Sequence, residues 1–144
     1  TSLKELIHGY EKVSPDLHYR NLLVATKLFE QGQYRASMVL AEEIYTARPD
    51  YKEVLKLLGF SRYRMGKYEQ AVGVLKLYLD SHPKDPEVIV ILGDIALELG
   101  DYALANTYYN TAISTPYSPK ILLERKLAYS YLMLDDEAGM IKVM

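Results

Sequence analysis

Apolar residues recur along this chain at the spacing of a helix, in blocks punctuated by glycine and proline. Leu22, Leu23, Thr26 and Phe29 stand at i, i+1, i+4 and i+7, and Leu55, Leu58, Arg62 and Met65 repeat the stripe, as do Ile89, Leu92 and Ala96. A glycine follows each run, where a helix C-terminus favours a residue that enters the left-handed region cheaply. A turn of two or three residues leads into a second amphipathic run, such as Ala71, Val74, Leu75 and Tyr78. These second runs end near a proline, which cannot continue a helix. The predicted unit is helix, tight turn, helix, proline-marked turn, and the predicted class is all-α.

The unit is periodic. Gly32, Gly66 and Gly100 are 34 residues apart, and Tyr34, Tyr68 and Tyr102 follow each glycine by two. Pro49 and Pro83 keep the step, whereas Pro116 comes one residue early with Pro119 close behind. Small residues recur in phase at Ala25, Gly59 and Gly93, and again at Ser37, Ala71 and Ala105. A side chain of one carbon or none lets two helices approach closely, while bulkier rows fill the space around them. One such pair cannot bury its apolar face alone, so neighbours must stack.

The segments LLGFSRYRMGKYEQAV (57–72) and ILGDIALELGDYALAN (91–106), and less closely LVATKLFEQGQYRASM (23–38), resemble the tetratricopeptide repeat family. The likeness places full repeats at 18–51, 52–85 and 86–119, in one domain spanning 1–144. A flanking helix is expected at 2–13, preceding a Ser14-Pro15-Asp16 helix start, and a partial fourth repeat at 120–144. It implies a right-handed superhelix of antiparallel helix pairs, an α-solenoid. The chain departs from the family pattern at its fourth position, which holds Asn21, Leu55 and Ile89 in place of a large aromatic. The eleventh holds Leu28, Arg62 and Ala96, with an aromatic displaced one place to Phe29 and Tyr63. In the last unit Asp135 replaces the turn glycine.

Composition narrows the function classes. Seventeen Lys and Arg against 19 Asp and Glu leave a formal charge of −2, with no basic run longer than two residues, which argues against nucleic acid as a partner. Cysteine is absent, so thiolate metal sites and disulfides are excluded and the compartment stays open. No stretch approaches a membrane span. His8, His18 and His82 lie far apart and share no helix face with a second ligand, so no metal is expected. Asp94 and Glu98 stand one turn apart, without a nucleophile or a histidine beside them, and read as a solvated or partner-facing acidic strip. With no phosphate loop and no nucleophile elbow either, the expectation is a non-enzyme without cofactors.

What remains is recognition of another polypeptide. The resemblance implies that positions two, five, nine and twelve of each unit line an inner, concave groove. Here those are Tyr19, Leu22, Thr26 and Phe29; Glu53, Lys56, Phe60 and Tyr63; and Glu87, Val90, Asp94 and Leu97. Helical spacing alone puts each set on one face. The Lys and Asn clamp that some family members use for a C-terminal carboxylate is missing, since its places hold Leu22, Thr26 and Leu57. Aromatic anchors with a polar rim suit an apolar or amphipathic peptide, captured by an adaptor or chaperone-like module. Phe29 and Phe60 have an equal claim to be core, and Tyr34, Tyr68 and Tyr102 read as structural. The other reading is a segment of a longer solenoid, or a homo-oligomer formed through the apolar stretch Ala138–Met144.

Overall fold

Each first helix ends on a glycine in the left-handed conformation that the turn requires. The φ angles are +79° at Gly32, +74° at Gly66 and +78° at Gly100. The following N–H reaches back to close the turn: Gln33 to the Leu28 carbonyl at 2.9 Å, Lys67 to Arg62 at 2.8 Å, and Asp101 to Ala96 at 2.9 Å. The computed structural model describes residues 17–116 and 118–134. Among them are seven helices and no strand: α1 Leu17–Glu30, α2 Tyr34–Ala47, α3 Glu53–Arg64, α4 Tyr68–Ser81, α5 Pro86–Glu98, α6 Tyr102–Ile113 and α7 Lys120–Met133. The chain is all-α, built from the helix, tight turn, helix unit. The helix expected at 2–13, the Ser14-Pro15-Asp16 start and the residues from Asp135 onward lie outside the described residues.

Contacts divide the chain into two compact units, residues 1–81 and 82–144. In the first, α1 packs on α2, α2 on α3 and α3 on α4, and α1 also touches α3. Leu40, Ile44, Leu55, Leu58 and Leu75 are fully buried there. Gly59 earns its place by proximity, since a Cβ at that position would run into the Leu75 side chain of α4. Small polar groups in this core are satisfied in a chain. Ser37 Oγ donates to the Ala25 carbonyl at 2.8 Å, and Ser61 Oγ donates to Ser37 Oγ at 3.3 Å. Arg62, standing where the family pattern asks for an aromatic, ties α3 to both neighbours. It lies 3.6 Å from Glu42 on α2 and donates to the Gln70 carbonyl on α4 at 3.2 Å.

The stripe read on α1 is displaced from the buried face. Leu23 is exposed and Leu22, Thr26 and Phe29 are half-buried, whereas Asn21, Val24 and Ala25 are buried. A polar residue at a core position hides the true face from any count of apolar spacing. Asn21 Oδ1 has no hydrogen-bond partner in this position.

In the second unit α5 packs on α6 and α6 on α7. Val88, Ile89, Leu92 and Ile95 of α5 are buried, as are Tyr109 of α6 and Leu123 and Leu127 of α7. Gly93 is the notch here, and a Cβ on it would stand 2.5 Å from the Tyr109 ring. Both α5 and α6 begin on an aspartate cap. Asp85 accepts from the Glu87 and Val88 N–H groups at 3.1 and 3.4 Å, with Pro86 at the first position, and Asp101 accepts from Leu104 at 3.2 Å.

Candidate partner-binding face

None of the twelve residues assigned to the groove is buried. In the first unit they occupy two helices that touch. Tyr19 (49% exposed), Leu22 and Phe29 stand on α1, and Glu53, Lys56, Phe60 and Tyr63 on α3. The helical offsets of three and four place each row along one face.

The aromatics of this row differ in what they touch. Phe29 sets its ring edge-on against Tyr34, with centroids 5.0 Å apart, and Tyr63 meets Tyr68 at 5.9 Å. The aromatic displaced from position eleven therefore packs on the turn tyrosine of its own pair. The Tyr34 ring also carries a cation, the Arg64 guanidinium, 5.2 Å from its centroid. Phe60 is only half-buried and has Lys56 Nζ 5.8 Å above its ring, while the same ammonium lies 5.9 Å from Tyr78. Lys56 is thus shared between rings and covers apolar surface with its stem. Asp50 lies away from this row, in the turn after α2. Its carboxyl titrates below the usual range because the Arg48 guanidinium bonds to it at 3.2 Å.

In the second unit Val90, Asp94 and Leu97 project from α5, each half-buried, with Glu87 and Glu98 exposed at the ends of the helix. The acidic strip does not form as expected. Asp94 Oδ1 accepts a hydrogen bond from Tyr109 Oη at 2.6 Å and lies 2.6 Å from Lys126 Nζ. Its side chain is 16% exposed. Tyr109 and Lys126 are 15 and 32 residues further along the chain, which is why helical spacing on α5 alone could not reveal the pairing.

Further surface residues escaped the sequence reading. From Gly100 to Asp135, and from Gly93 to the small residue Ala128, the step is 35. Carried by that step, Glu87, Val90, Asp94 and Leu97 map onto Leu122, Arg125, Tyr129 and Leu132 of α7. Leu122, Tyr129 and Leu132 are 49%, 50% and 59% exposed. The signal lies within α7, which begins on the 34-residue step at Lys120 but places its small residue Ala128 and its closing Leu134 35 residues after Gly93 and Leu99. A shallow cavity of about 570 Å³ also opens at the first turn, lined by Tyr34, Arg35, Ala36, Val39 and Met65 with backbone from Gly32 and Gln33. His18 is half-buried on α1 and His82 exposed in a turn. Among the described residues no cluster of His, Asp and Glu has the makings of a metal site.

Comparison with known proteins gives a family match and a fold likeness. Residues 28–95 match the family model described as Tetratricopeptide repeat. Comparison with curated proteins gives no match. Among solved structures, "MamA MSR-1 C2" superposes with a TM-score of 0.79 at 22% identity, covering 97% of this chain and 82% of that one. "Crystal structure of MamA" gives 0.83 at 16% identity, with coverages of 95% and 81%. "MamA 41-end from Desulfovibrio magneticus RS-1" gives 0.79 at 16%, covering 88% and 71%. At these identities the likeness is one of fold.

Proposed function

We propose, from the premise that residues 28–95 are tetratricopeptide repeat, that this protein–protein interaction scaffold captures a partner's apolar or amphipathic segment along α1 and α3. The observation that carries the reading is that Tyr19 is exposed and Leu22 and Phe60 are only half-buried. They are apolar groups at helical register, left outside a core that is otherwise well filled. Tyr19 and Phe60 would serve as anchors, and Glu53 and Lys56 as the polar rim. Phe29 and Tyr63, held against Tyr34 and Tyr68, would form the fixed wall beside them. A net charge of −2 and no basic run favour polypeptide over nucleic acid. Among the described residues no helix is long and apolar enough to cross a membrane. Scaffolding, adaptor or chaperone-like in kind, rather than catalysis, is the role assigned.

The test is Phe60→Ala, compared with wild type in affinity capture of partners from the native source. Capture is expected to fall by about tenfold or more, the effect of truncating a central anchor, with the melting temperature within about 3 °C of wild type. A much lower melting temperature would place Phe60 in the core and remove it from the face.

One observation favours self-association as a second reading. Helix α7 exposes Ile121 at 72% as well as Leu132. Static light scattering decides it: mass rising with concentration, and falling back to monomer in Leu132→Glu, is the signature. The stretch Ala138–Met144, the first candidate for that surface, lies outside the described residues.

A further inference from the structure

The centre of the α5 row carries a carboxylate, yet the chain neutralises it from within. Asp94 receives the Tyr109 hydroxyl and the Lys126 ammonium on the same oxygen, both at 2.6 Å. Lys126 Nζ also lies 5.8 Å from the Tyr109 ring, and its side chain is 26% exposed. Three helices of one unit, α5, α6 and α7, thus supply one member each. A charge-assisted pair at this distance, with side chains only 26% and 16% exposed, is held by its geometry, and its two charges offset each other for a group that approaches. Around it stand Val90 and Leu97 on α5, with Leu122, Tyr129 and Leu132 at the corresponding phase on α7. Two exposed charges of opposite sign also belong to these rows, Glu87 at the start of α5 and Arg125 in the middle of α7.

We infer that Lys126 is a specificity-determining residue: by neutralising Asp94 it makes the face of the second unit select an uncharged apolar segment and reject a basic one. The inference rests on the scaffold reading and extends it to the α5 row. Without Lys126, Asp94 would present a bare carboxylate in the middle of an apolar row. A lysine or arginine of the partner would then take the vacated place against Asp94 and Tyr109. Without Asp94, Lys126 would instead call for an acidic group. Lys126 acts on the partner through Asp94, so its effect is a change of preference between ligands more than a uniform loss of affinity.

Three labelled amphipathic peptides test this, each about 18 residues or five helical turns long. Each has the same Leu and Ala face, with Gln, Lys or Glu on the other, and binding to the full chain is read by fluorescence anisotropy. Wild type is expected to prefer the Gln peptide over the Lys peptide. Lys126→Met keeps the apolar stem and should shift the ratio about tenfold towards the Lys peptide, the scale of one partly buried charge pair. Asp94→Asn should shift it towards the Glu peptide. The double variant should return to the wild-type order, which separates charge from any loss of packing. Unchanged ratios in the single variants, with wild type binding the Gln peptide, overturn the role of Lys126 and leave the scaffold reading standing. Wild type binding none of the three overturns both.

Discussion

Asn21 stands where the repeat pattern asks for a large aromatic, is 5% exposed, and leaves its carbonyl oxygen without a partner. A buried acceptor without a donor costs about 1–3 kcal/mol relative to a satisfied or apolar one. Asn21→Leu, which keeps the branched outline of Asn with larger terminal groups, is therefore expected to raise stability by about 1 kcal/mol in urea unfolding, with the m-value unchanged. A loss of stability would mean that the amide has a role beyond filling space. Asp94 shows the same lesson in reverse. In the sequence it is one of two acids a turn apart, and nothing on α5 announces the hydroxyl and ammonium that reach it from α6 and α7. Residue identity was legible at the turns, where glycine conformation is decided locally, and illegible where a side chain's partner lies on another helix.

Among helices, the decisive contact is a notch and the side chain that fills it. Gly59 receives Leu75 and Gly93 receives Tyr109, each across the two helices of a pair. Such a contact leaves no room for a Cβ, because the facing atoms are the packed Leu75 side chain at Gly59 and the packed Tyr109 ring at Gly93. Gly93→Val is expected to cost about 3 kcal/mol or more, from overpacking against Tyr109 together with loss of the hydroxyl's approach to Asp94. Thermal unfolding would measure it, and a loss below about 1 kcal/mol would show that α6 can slide away. Element type and order were readable from period and punctuation. The side that each helix buries was not, because Asn21 on α1 and Arg62 on α3 break the apolar count while sitting in or beside the core. Nor was the phase of α7, which starts on the 34-residue step at Lys120 yet closes at Leu134, 35 residues after Leu99 closes α5.

The molecule as a whole is a series of neighbour contacts in two compact units, α1 to α4 and α5 to α7. In repeat proteins stability is a sum of local terms, so damage need not spread. Hydrogen exchange on Gly93→Val should show lost protection concentrated in residues 86–133, with α2 and α3 close to wild type. Uniform loss across α1 to α7 would mean that the two units open as one. The scaffold reading depends on this modularity, for the aromatic row of α1 and α3 and the neutral row of α5 each stand on their own unit. The family match over residues 28–95 reaches from α1 into α5, and the likeness to solved structures extends over nearly the whole chain.

The two notches have a consequence for how the chain avoids folding wrongly. Helices related by a 34-residue repeat are similar enough to exchange partners as they emerge, and a first helix could close on the wrong second helix. A difference in size between the fillers would disfavour this. Sixteen residues after Ala25, Gly59 and Gly93 come Ala41, Leu75 and Tyr109, a graded series from small to large. Tyr109 would meet the methyl of Ala25 in a space that its own pair leaves open, and Ala41 offered to Gly93 would leave a void the size of a ring. Each mispairing thus carries a steric or cavity penalty that the correct one lacks. The repeats are alike enough to stack and unlike enough to be told apart.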